Sequence, residues 1–176
     1  MKRILIVILI VFGIILVSKN TSNVLIPKDA IRFRVIANSN TKEDQDLKKE
    51  VSKVIQEDLY PKLLTKTSKE EAKEFLVNYQ DEISNKVNKT IKDNNINSTY
   101  NINYGINHFP KKTYKGVEYP EGDYESLVIT LGNASGNNWW CVLFPPLCLL
   151  EAEKDEQVEE VQYKSFVKEL IDKYFK

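Results

Sequence analysis

The chain has 176 residues, 42% of them apolar, with 25 basic and 25 acidic side chains and one histidine. That length fits one folded domain with appendages, and the composition is globular rather than disordered. The charges balance and no basic arm appears, so nothing points to nucleic acid.

Lys2 and Arg3 precede an unbroken apolar run over residues 4–17, and polar residues follow at 18–23. A basic start before such a run reads as an export signal, with the positive end kept in the cytoplasm. As a helix the run covers roughly 21 Å, short of the ~30 Å hydrocarbon core. No Ala-x-Ala cleavage motif follows it, so the segment is either a signal peptide or an uncleaved, thin anchor. No lipobox cysteine lies nearby. Residues 1–23 are therefore assigned to this segment and 24–176 to an extracytoplasmic domain, with a short linker expected over 18–28.

Residues 31–37 (IRFRVIA) alternate apolar side chains with two arginines, the period of a strand with one buried face. Asn38, Ser39 and Asn40 then turn the chain. Thr41 with Asp44 resembles a capping box, and Leu47, Val51, Val54, Ile55 and Leu59 form one stripe of the helix that follows. Pro61 is expected to end or bend it. A second helix is capped by Ser68 and Glu71 and carries its apolar face from Ala72 to Ile91; Asp93, Asn94 and Asn95 close it. Period-two alternation over 98–109 predicts a strand, and 112–119 another extended segment. Residues 126–131 and 139–144 are strongly apolar strands, joined by a loop whose Gly and Asn residues suit a hairpin. An acidic, solvated stretch over 151–160 leads to a last helix over about 158–175. Helices followed by a run of strands favour an α+β domain, a mainly antiparallel sheet with helices packed on it.

Catalytic signatures are sparse. His108 has no metal-ligand companions and reads as a polar residue at a strand end, and the cysteine spacing matches no usual zinc site. No motif-flanked nucleophile accompanies it. Neither a cofactor nor a small-molecule substrate is expected, and the chain is not expected to be an enzyme. Glu118, Glu121, Asp123 and Glu125 form the one dense carboxylate group, which leaves an envelope hydrolase as an alternative. Trp139 and Trp140 are adjacent in a strand and so point to opposite faces, one inward and one available to a partner or to a covering helix. Pro145 and Pro146 end the strand and turn it back, so Cys141 and Cys148 are expected either to form a disulfide or to remain buried thiols. The Asn38 turn reads first as structural.

Two strings then become recognisable. Arg34-Val35-Ile36-Ala37-Asn38-Ser39-Asn40-Thr41, with Asp44-Gln45-Asp46-Leu47-Lys48, resembles the opening of the stage II sporulation protein R family. Tyr119-Pro120-Glu121-Gly122-Asp123-Tyr124-Glu125 and residues 138–148 (NWWCVLFPPLC) resemble its second half, and the likeness spans about 31–150. The tryptophan–cysteine–diproline string is the specific part. The resemblance implies a protein exported from the forespore into the space between forespore and mother cell. There it would activate a membrane-embedded aspartic-type protease that processes pro-sigma E. An envelope-binding structural module is the further alternative. Arg34, Asn38, Trp139 and Trp140 are the candidate partner-binding residues.

Overall fold

The computed structural model describes residues 24–114, 117–148 and 160–175. The expected signal or anchor helix and the acidic stretch over 151–159 lie outside them. In chain order the elements are β1 (Val24–Leu25), β2 (Ile31–Ile36), α1 (Lys42–Leu63), α2 (Lys69–Asn78), α3 (Gln80–Asp93), β3 (Tyr100–Phe109), β4 (Lys112–Tyr114), β5 (Val117–Tyr119), β6 (Gly122–Leu131), β7 (Asn138–Phe144) and α4 (Glu160–Tyr174). Helices packed on a sheet of mostly antiparallel strands make this an α+β fold, as expected.

The helix starts obey local rules. Thr41 Oγ1 accepts from the Asp44 N–H at 3.3 Å, and Ser68 Oγ from the Glu71 N–H at 3.2 Å. Glu71 reaches back to the Thr67 N–H at 2.8 Å. Pro61 does not stop α1 at once, and the helix runs on to Leu63. So close to the end, a missing N–H removes one of the last ladder bonds, and the Leu64 N–H still reaches the Tyr60 carbonyl at 2.9 Å. The second expected helix is two. Tyr79, at φ −102° and ψ 9°, interrupts it. The break re-aims the apolar stripe, so that Ala72 and Leu76 on α2 and Ile83, Val87 and Ile91 on α3 reach one core.

The main sheet has four strands in the order β3-β6-β2-β7. β6 therefore does not form a hairpin with β7: β2 lies between them, parallel to β6 and antiparallel to β7. The connection over 132–137 must span two strand spacings, about 10 Å, which six residues do easily and a tight hairpin loop does not. β3 pairs antiparallel with β6 along its whole length. The extended segment expected over 112–119 is a pair of short strands, β4 and β5, joined by β1 into a second, three-stranded sheet. Part of the expected linker is thus structural: Ile26 is buried, and its N–H bonds the Glu118 carbonyl at 3.1 Å.

Alternation along each strand sends side chains to two different interiors. Ile31, Phe33, Val35, Leu127, Ile129 and Leu131 meet α1, α2 and α3 in the larger core. Each such side chain contributes roughly 2 kcal/mol through burial. On the opposite face, Val142, Leu147, Val117, Tyr119 and Ile26 form a smaller core with Val167 of α4.

Gly136 has no room for a side chain, because a Cβ there would overlap the Ser39 carbonyl oxygen. Gly136→Ala is expected to lower stability by about 1–3 kcal/mol in urea unfolding. Burial alone would raise the Glu125 pKa, but its bonds to Lys73 at 2.9 Å and Lys69 at 3.2 Å outweigh that and hold it below the ordinary value. This contribution is full above the unfolded pKa of about 4.3 and is lost as pH falls through the lower folded value. Unfolding midpoints should fall over that acid range, and Glu125→Gln should lower neutral stability and flatten that part of the fall.

Candidate partner-binding surface

The turn after β2 is tied to the β6–β7 crossover loop. Asn38 Nδ2 donates to Asp44 Oδ2 at 2.9 Å, and Asn38 Oδ1 accepts from the Asn133 N–H at 2.9 Å. The Ser135 N–H and hydroxyl both donate to the Asn38 carbonyl, and the Gly136 N–H donates to the Ala37 carbonyl at 2.9 Å. Asn40 Oδ1 accepts from the Asn137 N–H at 2.7 Å. The buried Lys48 ammonium of α1 closes the network, donating to Gln45 Oε1 at 2.6 Å and to the Asn137 carbonyl at 3.2 Å. Burial lowers its pKa. Asp44 is held below the ordinary carboxylate value, chiefly by the Ser39 hydroxyl.

Arg34 follows directly on this network. It pairs across the sheet with Trp140 of β7, on the face turned away from α1–α3. Its Nη2 and Nε donate to the Asn138 amide oxygen at 2.6 and 3.2 Å, with that amide turned oxygen-inward. Its Nη1 donates to the His108 carbonyl at 3.4 Å, and its guanidinium lies 5.7 Å from the Phe109 ring centroid. Arg34 stays half-exposed.

The two tryptophans do lie on opposite faces, and both are half-buried. Trp139 meets Phe33 edge-on at 5.6 Å on the helical side. Trp140 packs with Phe109 of β3 at 5.6 Å and Tyr119 of β5 at 5.7 Å, against the smaller core to which α4 contributes Val167. Beside it Arg32 is fully buried, its guanidinium 3.4 Å from the Tyr124 centroid, 5.2 Å from Phe109 and 5.6 Å from Trp140. Nη2 donates to the Pro120 carbonyl at 3.2 Å. Burial pushes the Arg32 pKa down to about 10, and the aromatic faces offset part of that desolvation.

The family model for stage II sporulation protein R matches residues 27–154. The chain belongs to the stage II sporulation protein R family. It is 37% identical over 150 residues to stage II sporulation protein R of Bacillus subtilis (strain 168), covering 85% of this chain and 67% of that one. No solved structure matches it.

In this member of the stage II sporulation protein R family, Cys141 and Cys148 are joined by a disulfide, with Cα atoms 5.3 Å apart. Of the two states open from the sequence, the bonded one is present. The turn that brings them together is closed by the Leu147 N–H on the Val142 carbonyl at 3.2 Å. The four carboxylates are divided among separate partners: Glu118 pairs with Lys111 at 2.9 Å and Glu125 with Lys69 and Lys73, while Asp123 lies 3.1 Å from His108 Nδ1, on the ring that Glu121 also approaches. Glu121 lies 3.8 Å from His108 Nε2. Among the described residues no group of three or more His, Cys, Asp and Glu side chains could hold a metal ion. Nor, among them, is any helix long and apolar enough to cross a membrane.

Arg32, Lys48 and Asn138 were not singled out by sequence reasoning. Arg32 was legible only as a second arginine in register with Arg34, and Lys48 and Asn138 stood inside the family-like strings with no role attached. Replacing both cysteines by alanine should cost about 2 kcal/mol in chemical unfolding, because the unfolded chain regains the freedom of that small loop.

Proposed function

We propose that this chain is an exported intercellular signal of sporulation. It switches on a membrane-embedded aspartic-type protease, which then processes pro-sigma E. Membership of the stage II sporulation protein R family across residues 27–154 is the observation that carries this function. The basic start and apolar run over 2–17 support export into the space between forespore and mother cell, either anchored or released. The chain works by binding: a ligand that holds the protease's active state more tightly than its inactive one shifts the equilibrium without doing chemistry itself.

Arg34 and Trp140 form the centre of the contact face, because they are cross-strand neighbours on one side of the sheet and each keeps part of its surface in water. Trp139 lies at the margin: β7 is an edge strand, and a partner laid along that edge meets both indoles. Asn38 sits at the other margin, where it also holds the crossover loop.

The test is processing of pro-sigma E in a non-sporulating host that co-expresses the matched protease. Cleavage should depend on the chain and on its export. Arg34→Ala should reduce cleavage about tenfold or more, with circular dichroism and secretion level unchanged. Absence of cleavage with folded, exported protein would leave an envelope-binding module instead. Hydrolysis of envelope material by the purified chain, abolished by Asp123→Asn, would replace the signalling role with an enzymatic one.

A further inference from the structure

β3 ends the main sheet, and among the described residues no strand pairs with its outer side. Natural edge strands are normally protected by charge, proline, a bulge or short length. This one has none of these. Its ten residues, YNINYGINHF, contain no Lys, Arg, Asp, Glu or Pro, and its register with β6 is unbroken. Ile106 stands 69% exposed on it.

The backbone phase of the free edge follows from one bond. The Gly132 N–H donates to the Thr99 carbonyl at 2.7 Å, so Thr99 and the odd-numbered residues after it turn their backbone groups to β6. Tyr100, Ile102, Tyr104 and Ile106 therefore present theirs outward. At the far end the His108 carbonyl goes to Arg34 instead.

The strand is also nearly palindromic about Tyr104. Read outward from that residue, Ile102 answers Ile106, Asn101 answers Asn107, and Tyr100 answers His108. We propose that β3 pairs antiparallel with β3 of a second copy of this chain, across a twofold axis at Tyr104, to give one sheet continuous through a homodimer. In that register the outward-facing residues oppose one another: Tyr104 its own counterpart, and Ile102 the exposed Ile106 in both directions. Each of these pairs exchanges two backbone bonds. The side chains agree as well, with isoleucine against isoleucine on one face and asparagine against asparagine on the other. No like charges meet, since the strand carries no acid and no lysine or arginine. The second copy is favoured over an unrelated strand because the match of backbone phase and side-chain order is to the strand's own sequence. The isologous contact is small, so association is expected at about micromolar concentration.

Sedimentation equilibrium of the full-length chain in detergent micelles, with disulfide trapping, tests this. A concentration-dependent dimer is expected. Ile106→Lys, a charge on an already exposed position, should raise the dissociation constant about tenfold or more. Ile106→Val should leave it unchanged. Tyr104→Cys should cross-link to its counterpart, whose Cα would lie about 5.5 Å away, within disulfide reach. Ile106→Cys should not cross-link to itself, being four residues out of register, about 13 Å. Should Tyr104→Cys fail to fold by circular dichroism, the two Ile106 variants decide by sedimentation. A monomer at every concentration would overturn the pairing, even if the edge then binds a receptor peptide. So would a dimer indifferent to Ile106→Lys, or equal cross-linking of both cysteine variants.

Discussion

Every backbone N–H and C=O of a central strand must find a partner, and β2 finds its partners on two strands that come late in the chain. β6 and β7 are consecutive, yet they are separated by β2, so the chain between them has to pass over the end of β2. That crossing is feasible because the turn at residues 37–40 presents carbonyls and amide oxygens where the loop presents N–H groups. Gly132, at φ 52°, and Gly136 let the two backbones approach at distances that side chains would forbid. The Lys48 ammonium brings the start of α1 into the same contact, so helix, turn and crossover loop stand or fall together.

The two faces of the sheet are built differently. One is an ordinary apolar interior against α1–α3. The other buries a guanidinium, a group that costs several kcal/mol to desolvate when no anion compensates it. Arg32 is accommodated by stacking on Tyr124, by its contacts with Phe109 and Trp140, and by one bond to Pro120. Tyr124 donates to the same Pro120 carbonyl at 2.9 Å, so the aromatic group and the β5–β6 connection hold each other. The second sheet and Val167 of α4 complete that side.

This construction bears on the proposed signalling role. Arg34 and Trp140 take their positions from β2 and β7, paired strands whose ends meet at the docked loop, and the aromatic cluster around Arg32 backs Trp140 from beneath. The proposed contact face, made on paired strands and braced from two sides, is preorganised, which would lower the conformational cost of binding. The disulfide closes the chain just after β7 and anchors the end of the strand that carries both tryptophans.

By itself the sequence determined what depends on neighbours a few residues apart. The caps at Thr41 and Ser68, the α1 stripe, the alternation of β2 and β3, and the opposite orientation of Trp139 and Trp140 all follow from local geometry. Its rare tryptophan–cysteine–diproline string also pointed to the family. Tertiary structure decided the rest. The break at Tyr79 goes with two helices that must both reach one core, and the two short strands at 112–119 depend on β1 arriving to extend their sheet. The separation of β6 from β7 depends on β2, over 90 residues earlier, lying between them. Local pattern reports period and turn propensity, but not which strand a given edge will meet. That choice belongs to long-range pairing, where the free energy comes from burying both faces of the sheet at once.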